Sequence, residues 1–205
     1  MRSLIWFLAG AIALVIVVCG GGLIFLKTHV NGFSARAQPS VLERFAARHA
    51  RAMALPPGSR ERANPVADSP EVLANARAHW ADHCAVCHAN NGSGDTRMGK
   101  NMYPPAPDMR QDGTQHLTDG ELFSIIQNGI RLTGMPSWGS GTGRDEEDSW
   151  KLVRLIRHLP KLTAEEEREM QDLNPKGPEE MKEDQKEREF LNGVQPHEET
   201  RHKHH

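Results

Sequence analysis

Residues 84–88 read Cys-Ala-Val-Cys-His, and no other feature limits the chain so sharply. Two thiols three positions apart at the end of a helix reach the same ligand, and the next residue sets an imidazole beside them. Three chemistries use this spacing. A redox dithiol needs a strand–helix–strand setting, and no segment here alternates apolar and polar residues as a strand does. A zinc site needs two further Cys or His at ligand spacing; the nearest histidines, His79, His83 and His116, form no second pair. The third chemistry is covalent attachment of one haem c, with Cys84 and Cys87 on its two vinyl groups and His88 on the iron. Cys19 stands alone in an apolar run, so the three cysteines are not a disulfide framework.

A haem iron held by His88 needs a soft, neutral sixth ligand or keeps that position open. Met98, Met102, Met109 and Met135 lie downstream. Met135 sits in Gly134-Met135-Pro136-Ser137-Trp138-Gly139, a Gly/Pro-bounded loop after a helix, and such a loop can project a thioether at fixed depth. The other three read as core filler. His88 and Met135 are therefore the expected axial pair. A Met/His pair raises the reduction potential and leaves the iron six-coordinate, which suits outer-sphere electron transfer. The rival is a haem-based enzyme subunit or gas sensor with a labile sixth ligand. The chain has no paired carboxylates, nucleophile with base, or phosphate loop, so no catalytic residue is expected.

Leu4 to Leu26 carries no charge over 23 residues. As a helix it would be roughly 34 Å long, enough to cross a bilayer core of about 30 Å. It reads as a single transmembrane anchor (4–26). Ala35-Arg36-Ala37 would offer a cleavage site if the segment were a signal peptide, but lies well past the apolar run. Cys19 as a lipid-attachment site would need Gly or Ala where Val18 stands. Residues 27–67 carry seven Lys/Arg against two Glu and read as a basic linker. Val41–Ala54 forms a short amphipathic helix there, solvated or resting on anionic lipid. Leu55 to Pro65 then breaks structure. As a flexible chain the spacer of roughly 40 residues would average about 35 Å.

The all-α domain is expected over 68–160. A helix starts at Asp68 or Ser69 with Pro70 in its first turn. A capping box at Thr118–Glu121 starts another that ends at Gly129, and a third runs from about Glu146 to Leu159. With 38 % apolar residues and few aromatics, so small a core would be marginal without a large apolar cofactor at its centre. One short helix capped at Thr163 is expected beyond, and the rest of 161–205 reads as a charged, largely disordered tail. His202, His204 and His205 end the chain as metal ligands or as a solvated terminus.

The segment from about Asp68 to Pro160 resembles class I cytochrome c domains, close to those of oxidase-associated and other membrane-anchored bacterial monohaem cytochromes. The resemblance rests on Cys84–His88, the Gly92–Asp95 turn, Tyr103 to Pro107, Leu117 to Gly139, and Trp150 to Pro160. It implies the class I fold around one haem, preceded here by a single N-terminal transmembrane helix. It implies that a proline carbonyl, from Pro104 or Pro105, accepts the His88 imidazole N–H, and that the first helix packs across the last, with Ala76 near a position commonly held by Gly. Tyr103, Arg131 and Trp138 are candidates to hydrogen-bond the haem propionates, and Leu122, Ile126 and Ile130 read as pocket wall.

Haem is attached to such motifs outside the cytoplasmic membrane, so the domain is expected on the periplasmic, outer face. Loop charges alone lean faintly the other way. The expected partners are a redox donor and an acceptor, including a membrane respiratory complex. No nucleic acid is expected, because no region is basic enough. The domain carries nine Lys/Arg against twelve Asp/Glu, which favours docking to a basic patch.

Overall fold

The computed structural model describes residues 2–29 and 34–191. No strand occurs among them, as the all-α reading requires. Helix α1 (Arg2–His29) is apolar and exposed almost throughout. At roughly 42 Å it is long enough to cross a bilayer core. Helix α2 (Val41–Ala54) opens on a complete capping box. Ser40 accepts from the Glu43 N–H, and the Glu43 carboxylate accepts from the Ser40 N–H.

The domain begins at α3 (Pro70–His79), where Ser69 caps the Val72 N–H and Pro70 fills the first turn. The helix does not stop at His79. It continues through a π-helical turn (Trp80–Cys84) into α4 (Ala85–His88), with the Ala85 N–H bonded to the Trp80 carbonyl. A π-turn inserts one residue into the helical ladder. The inward row of Ala76 and Trp80 is therefore not continued onto the thiols. Trp80 is buried and its indole N–H donates to the Ala89 carbonyl at 2.9 Å. Ala89 ends the helix at φ 61°, ψ 161°, a region that favours glycine.

Two short turns, α5 (Arg97–Lys100) and α6 (Asp112–Gln115), lead to α7 (Asp119–Asn128). The expected capping box of Thr118 and Glu121 starts α7, and Gly129 at φ 64° ends it. Helix α8 (Gly143–His158) begins earlier than the apolar pattern indicated, because Thr142 caps it at Asp145. A 3₁₀ turn (Leu159–Lys161) closes it at Pro160. Helix α3 packs chiefly on α8, with Ala76 fully buried in the contact, and Phe123 of α7 stacks on Trp150 of α8 at 4.1 Å. The core is this α3–α7–α8 junction.

Two expectations are corrected. Residues 55–66 are not a free spacer but a strap laid on the domain. The Arg62 guanidinium sits 4.4 Å from the Phe123 ring centre, the Arg60 Nε donates to buried Glu121 at 2.9 Å, and Asn64 donates to the Trp150 carbonyl. From α8, Arg154 donates to the Val66 carbonyl. Gly120 lies under Ser59 so closely that a Cβ there would strike the Ser59 carbonyl oxygen. The partners are 61 to 88 residues away in sequence, so the basic residues of the strap look solvated in any local window.

Beyond 161 the short helix expected at Thr163 is present, and a second helix follows where a disordered tail was expected. Helix α9 (Ala164–Asp172), started by the Thr163–Glu166 capping box, is fastened by Arg77 to Glu166 at 3.0 Å and to Glu169 at 3.2 Å. His158 contacts the same Glu166, and Met170 is wholly buried. Helix α10 (Pro178–Leu191) is polar and largely exposed, built from strong helix formers. His202, His204 and His205 lie outside the described residues.

Candidate functional site

Beside α4 lies an open-mouthed cavity of about 970 Å³ including the solvent at its mouth. Cys84, Cys87 and His88 all line it. One wall is apolar, from Leu122, Ile125 and Ile126 of α7 with Ile156 of α8. The other side is the Pro104–Pro107 loop and the segment from Ile130 to Trp138. The expected wall residues Leu122, Ile126 and Ile130 are therefore all in place.

The loop carrying Met135 is held by its own backbone. The Ile130 N–H donates to the Met135 carbonyl at 3.1 Å, and the Thr133 hydroxyl bridges the Ile130 carbonyl and the Met135 N–H. Trp138 and Gly139 then pair with the carbonyls of Ile126 and Gln127 at the end of α7. The Met135 side chain lines the cavity, but so do Met102 and Met109, whereas Met98 is outside and 53 % exposed. Three thioethers, not one, are thus within the site.

Burial sets the protonation of the motif. The Cys84 thiol is pushed up to about 12, by desolvation and then by its neighbour Cys87, and Cys87 is raised by burial as well. A redox dithiol needs a depressed thiol pKa, so these cysteines are poor candidates for disulfide exchange. His88, 9 % exposed, is pulled down to about 4 by desolvation and is a neutral imidazole at physiological pH. Its Nδ1 is buried with no hydrogen-bond partner. Among the described residues no cluster of three His, Cys, Asp or Glu is placed to hold a metal ion.

An apolar slot with two adjacent protonated thiols, a neutral imidazole and flanking thioethers is a donor set that fits a haem. The remaining site residues are dispersed. Pro105 and Pro104 line the cavity, but the expected bond from His88 to a proline carbonyl is not formed, since Nδ1 is unpartnered. Trp138 lines the cavity, edge-on to His83 at 5.5 Å. Tyr103 is turned away: its hydroxyl donates to Glu43 of α2 at 2.9 Å, and it is not among the lining residues. Arg131 is exposed and also outside the lining. Sequence reasoning missed Arg51 and His83, both of which line the cavity. His83 adjoins the motif and was within reach of a helical-wheel reading. Arg51 stands in a segment read as linker, and no local signal points to it.

Residues 71–156 match the family model described as cytochrome c oxidase, cbb3-type, subunit III. That segment is a class I cytochrome c domain of the oxidase-associated type. Such a domain binds haem, and its chemistry is haem-based electron transfer between redox partners. The cytochrome c match covers α3 through most of α8. It excludes α1, α2, the strap and α9. No curated protein matches the chain.

Proposed function

We propose that the chain is a membrane-tethered monohaem cytochrome c that passes single electrons between redox proteins on the periplasmic face of the inner membrane. The observation that supports this best is the placement of Cys84, Cys87 and His88 together on the wall of an apolar cavity within the cytochrome c domain. Cys84 and Cys87 would carry the two thioether links and His88 one axial position. Met135 would hold the other, because its loop is braced against α7 by the bonds of Trp138 and Gly139. Bound there, one haem c would supply a one-electron ferric/ferrous couple.

The protein's own contribution is to hold this geometry and exclude water. Burial keeps His88 neutral and able to ligate. The walls of Leu122, Ile126 and Ile156 keep the slot apolar, which disfavours extra charge on the iron. With His88 and Met135 both on the iron, no position would be left open for oxygen, so we read the chain as a carrier, or the electron-transfer subunit of an oxidoreductase complex, and not as an enzyme in itself. The apolar run 4–26 within α1 would be the anchor. Because haem attachment takes place outside the cytoplasmic membrane, the domain would face the periplasm. The folded unit would extend beyond 68–160 to include the strap and α9. A donor or acceptor with a basic patch would suit the domain's acidic balance, with on-rates falling as salt rises.

The test is expression of the full chain with haem-attachment machinery, then pyridine haemochrome assay of the denatured protein. One covalent haem per chain is expected, and none in a Cys84→Ser, Cys87→Ser variant. No covalent haem in the wild-type chain would overturn the reading. A high-spin ferric spectrum in the intact protein would instead favour an enzyme or gas sensor.

A further inference from the structure

Helix α2 lies outside the cytochrome c match, yet one of its side chains enters the cavity. Arg51, in its last turn, is half-buried and lines the slot together with the haem motif. It is the only side chain of the lining set with a permanent charge, and that set contains no Asp or Glu. Among the described residues the Arg51 guanidinium has no hydrogen bond or ion pair. Glu121 reaches it only through the longer-range field, and its carboxylate is occupied by Arg60 and the Thr118 N–H. Burial pulls the Arg51 guanidinium down from its ordinary value, the sign of a cation held without a full counter-charge.

An unmatched guanidinium in an otherwise apolar slot calls for an anion that enters with the ligand. A haem brings only its two propionate carboxylates, and a guanidinium binds carboxylate through paired N–H donors. The opposite end of α2 is fixed as well, by the bond from the Tyr103 hydroxyl to Glu43 at 2.9 Å. Tyr103 adjoins Met102 and Pro104, which line the slot. The helix is thus fixed beside the cavity through the Tyr103 bond, and at its other end Arg51 turns a vacant donor face to the slot.

We propose that Arg51 is the propionate-binding residue of this cytochrome, supplied by the helix that precedes the domain. The inference rests on the haem reading above. It assigns to a side chain outside the matched segment the role that sequence had offered to Tyr103, Arg131 and Trp138. A cation bonded to a propionate offsets a negative charge near the iron and so favours the reduced state.

The test is a redox titration of the full-length protein with its haem attached, comparing Arg51→Ala, Arg51→Gln, Arg51→Lys and Arg48→Ala. Arg48 is exposed on the same helix, three residues away, and does not line the cavity. In Arg51→Ala and Arg51→Gln the ferric/ferrous ratio at fixed poise is expected to rise about tenfold, a fall in midpoint of about 59 mV for one electron. Arg51→Lys should recover most of that shift, and Arg48→Ala should leave the midpoint nearly unchanged. Haemochrome yield and the Met-to-iron absorption band report whether each variant keeps its folded, six-coordinate site. An unchanged midpoint in Arg51→Ala and Arg51→Gln, with haem retained, would overturn the assignment. Equal shifts in Arg51→Ala and Arg48→Ala would overturn it too, because only bulk charge would then be acting. Failure of the haem reading is distinct: the wild-type chain would give no haemochrome.

Discussion

Glu121 joins the strap to the haem-side helix α7, and its removal tests whether residues 55–66 belong to the fold. Its side chain is 8 % exposed. One oxygen accepts the Thr118 N–H at 2.8 Å, and the other accepts the Arg60 Nε at 2.9 Å. Glu121→Ala deletes half of a capping box, about 0.5–1 kcal/mol. It also deletes a charge-assisted bond worth about 1.5–3 kcal/mol. Arg60 is 58 % exposed and can rehydrate, which draws the second figure to its lower end. The Thr118 hydroxyl still caps the Glu121 N–H position at 3.2 Å. The expected cost is therefore about 2–3 kcal/mol. For a folded unit of the size of 55–174 that is a drop in Tm of about 8–12 °C. Arg60→Ala alone should cost about 1 kcal/mol, and the double mutant should show a coupling near 1 kcal/mol. Urea titration of the full chain in detergent, followed by far-UV circular dichroism, measures all three. A loss under about 0.5 kcal/mol for Glu121→Ala, with no coupling to Arg60, would refute the strap and restore a free linker.

Met135→Ala should abolish the Met-to-iron band and leave ferric haem high-spin, whereas Met102→Ala and Met109→Ala should keep both; loss of the band in Met102→Ala instead would move the ligand. Ala89→Gly should stabilise the fold by about 1 kcal/mol, since relief of strain at φ 61° exceeds the entropy cost of glycine; a lower urea midpoint would show that the methyl group packs. Asp108 is held down to about 2, chiefly by the Arg110 guanidinium bonded to it at 2.8 Å. A carboxylate whose folded pKa is depressed contributes stability above its unfolded value near 3.8 that is lost as pH falls through about 2. Asp108→Asn should therefore cost about 1 kcal/mol above pH 4, after discount for its partial exposure. The difference from wild type should vanish by about pH 2; a cost that persists there would mean the loss is packing and not charge.

What the sequence made legible was local or chemical. Thr118 with Glu121 and Thr163 with Glu166 are four-residue windows, and each starts a helix where it should. Cys84 to His88 names its own chemistry by spacing, and Leu122, Ile126 and Ile130 follow from helical and loop position relative to it. What was hidden depends on partners far along the chain. Arg62 reads as a solvated base until Phe123 and Trp150 are brought beneath it. Tyr103 reads as a propionate donor until Glu43 is brought to its hydroxyl. The start of α9 was legible at Thr163, but its fastening was not, because Arg77, which engages Glu166 and Glu169, lies about 90 residues upstream. The π-turn at Trp80–Cys84 has no compositional mark at all, although it sets the facing of both thiols.

The strap also alters how the proposed tether would work. A free spacer of 40 residues would let the domain range about 35 Å from the membrane on average. With α2 helical and 55–66 packed down, only residues 30–40 remain between α1 and α2. Eleven residues reach no more than about 40 Å even at full stretch. Effective concentration toward a partner in the same membrane falls roughly as the −3/2 power of tether length, so shortening from 40 to 11 residues raises it about sevenfold. The same shortening removes partners standing farther out. Arg51 sharpens the point, since the helix that follows the tether also reaches the haem slot. Such an arrangement would favour exchange with a fixed neighbour over long-range shuttling.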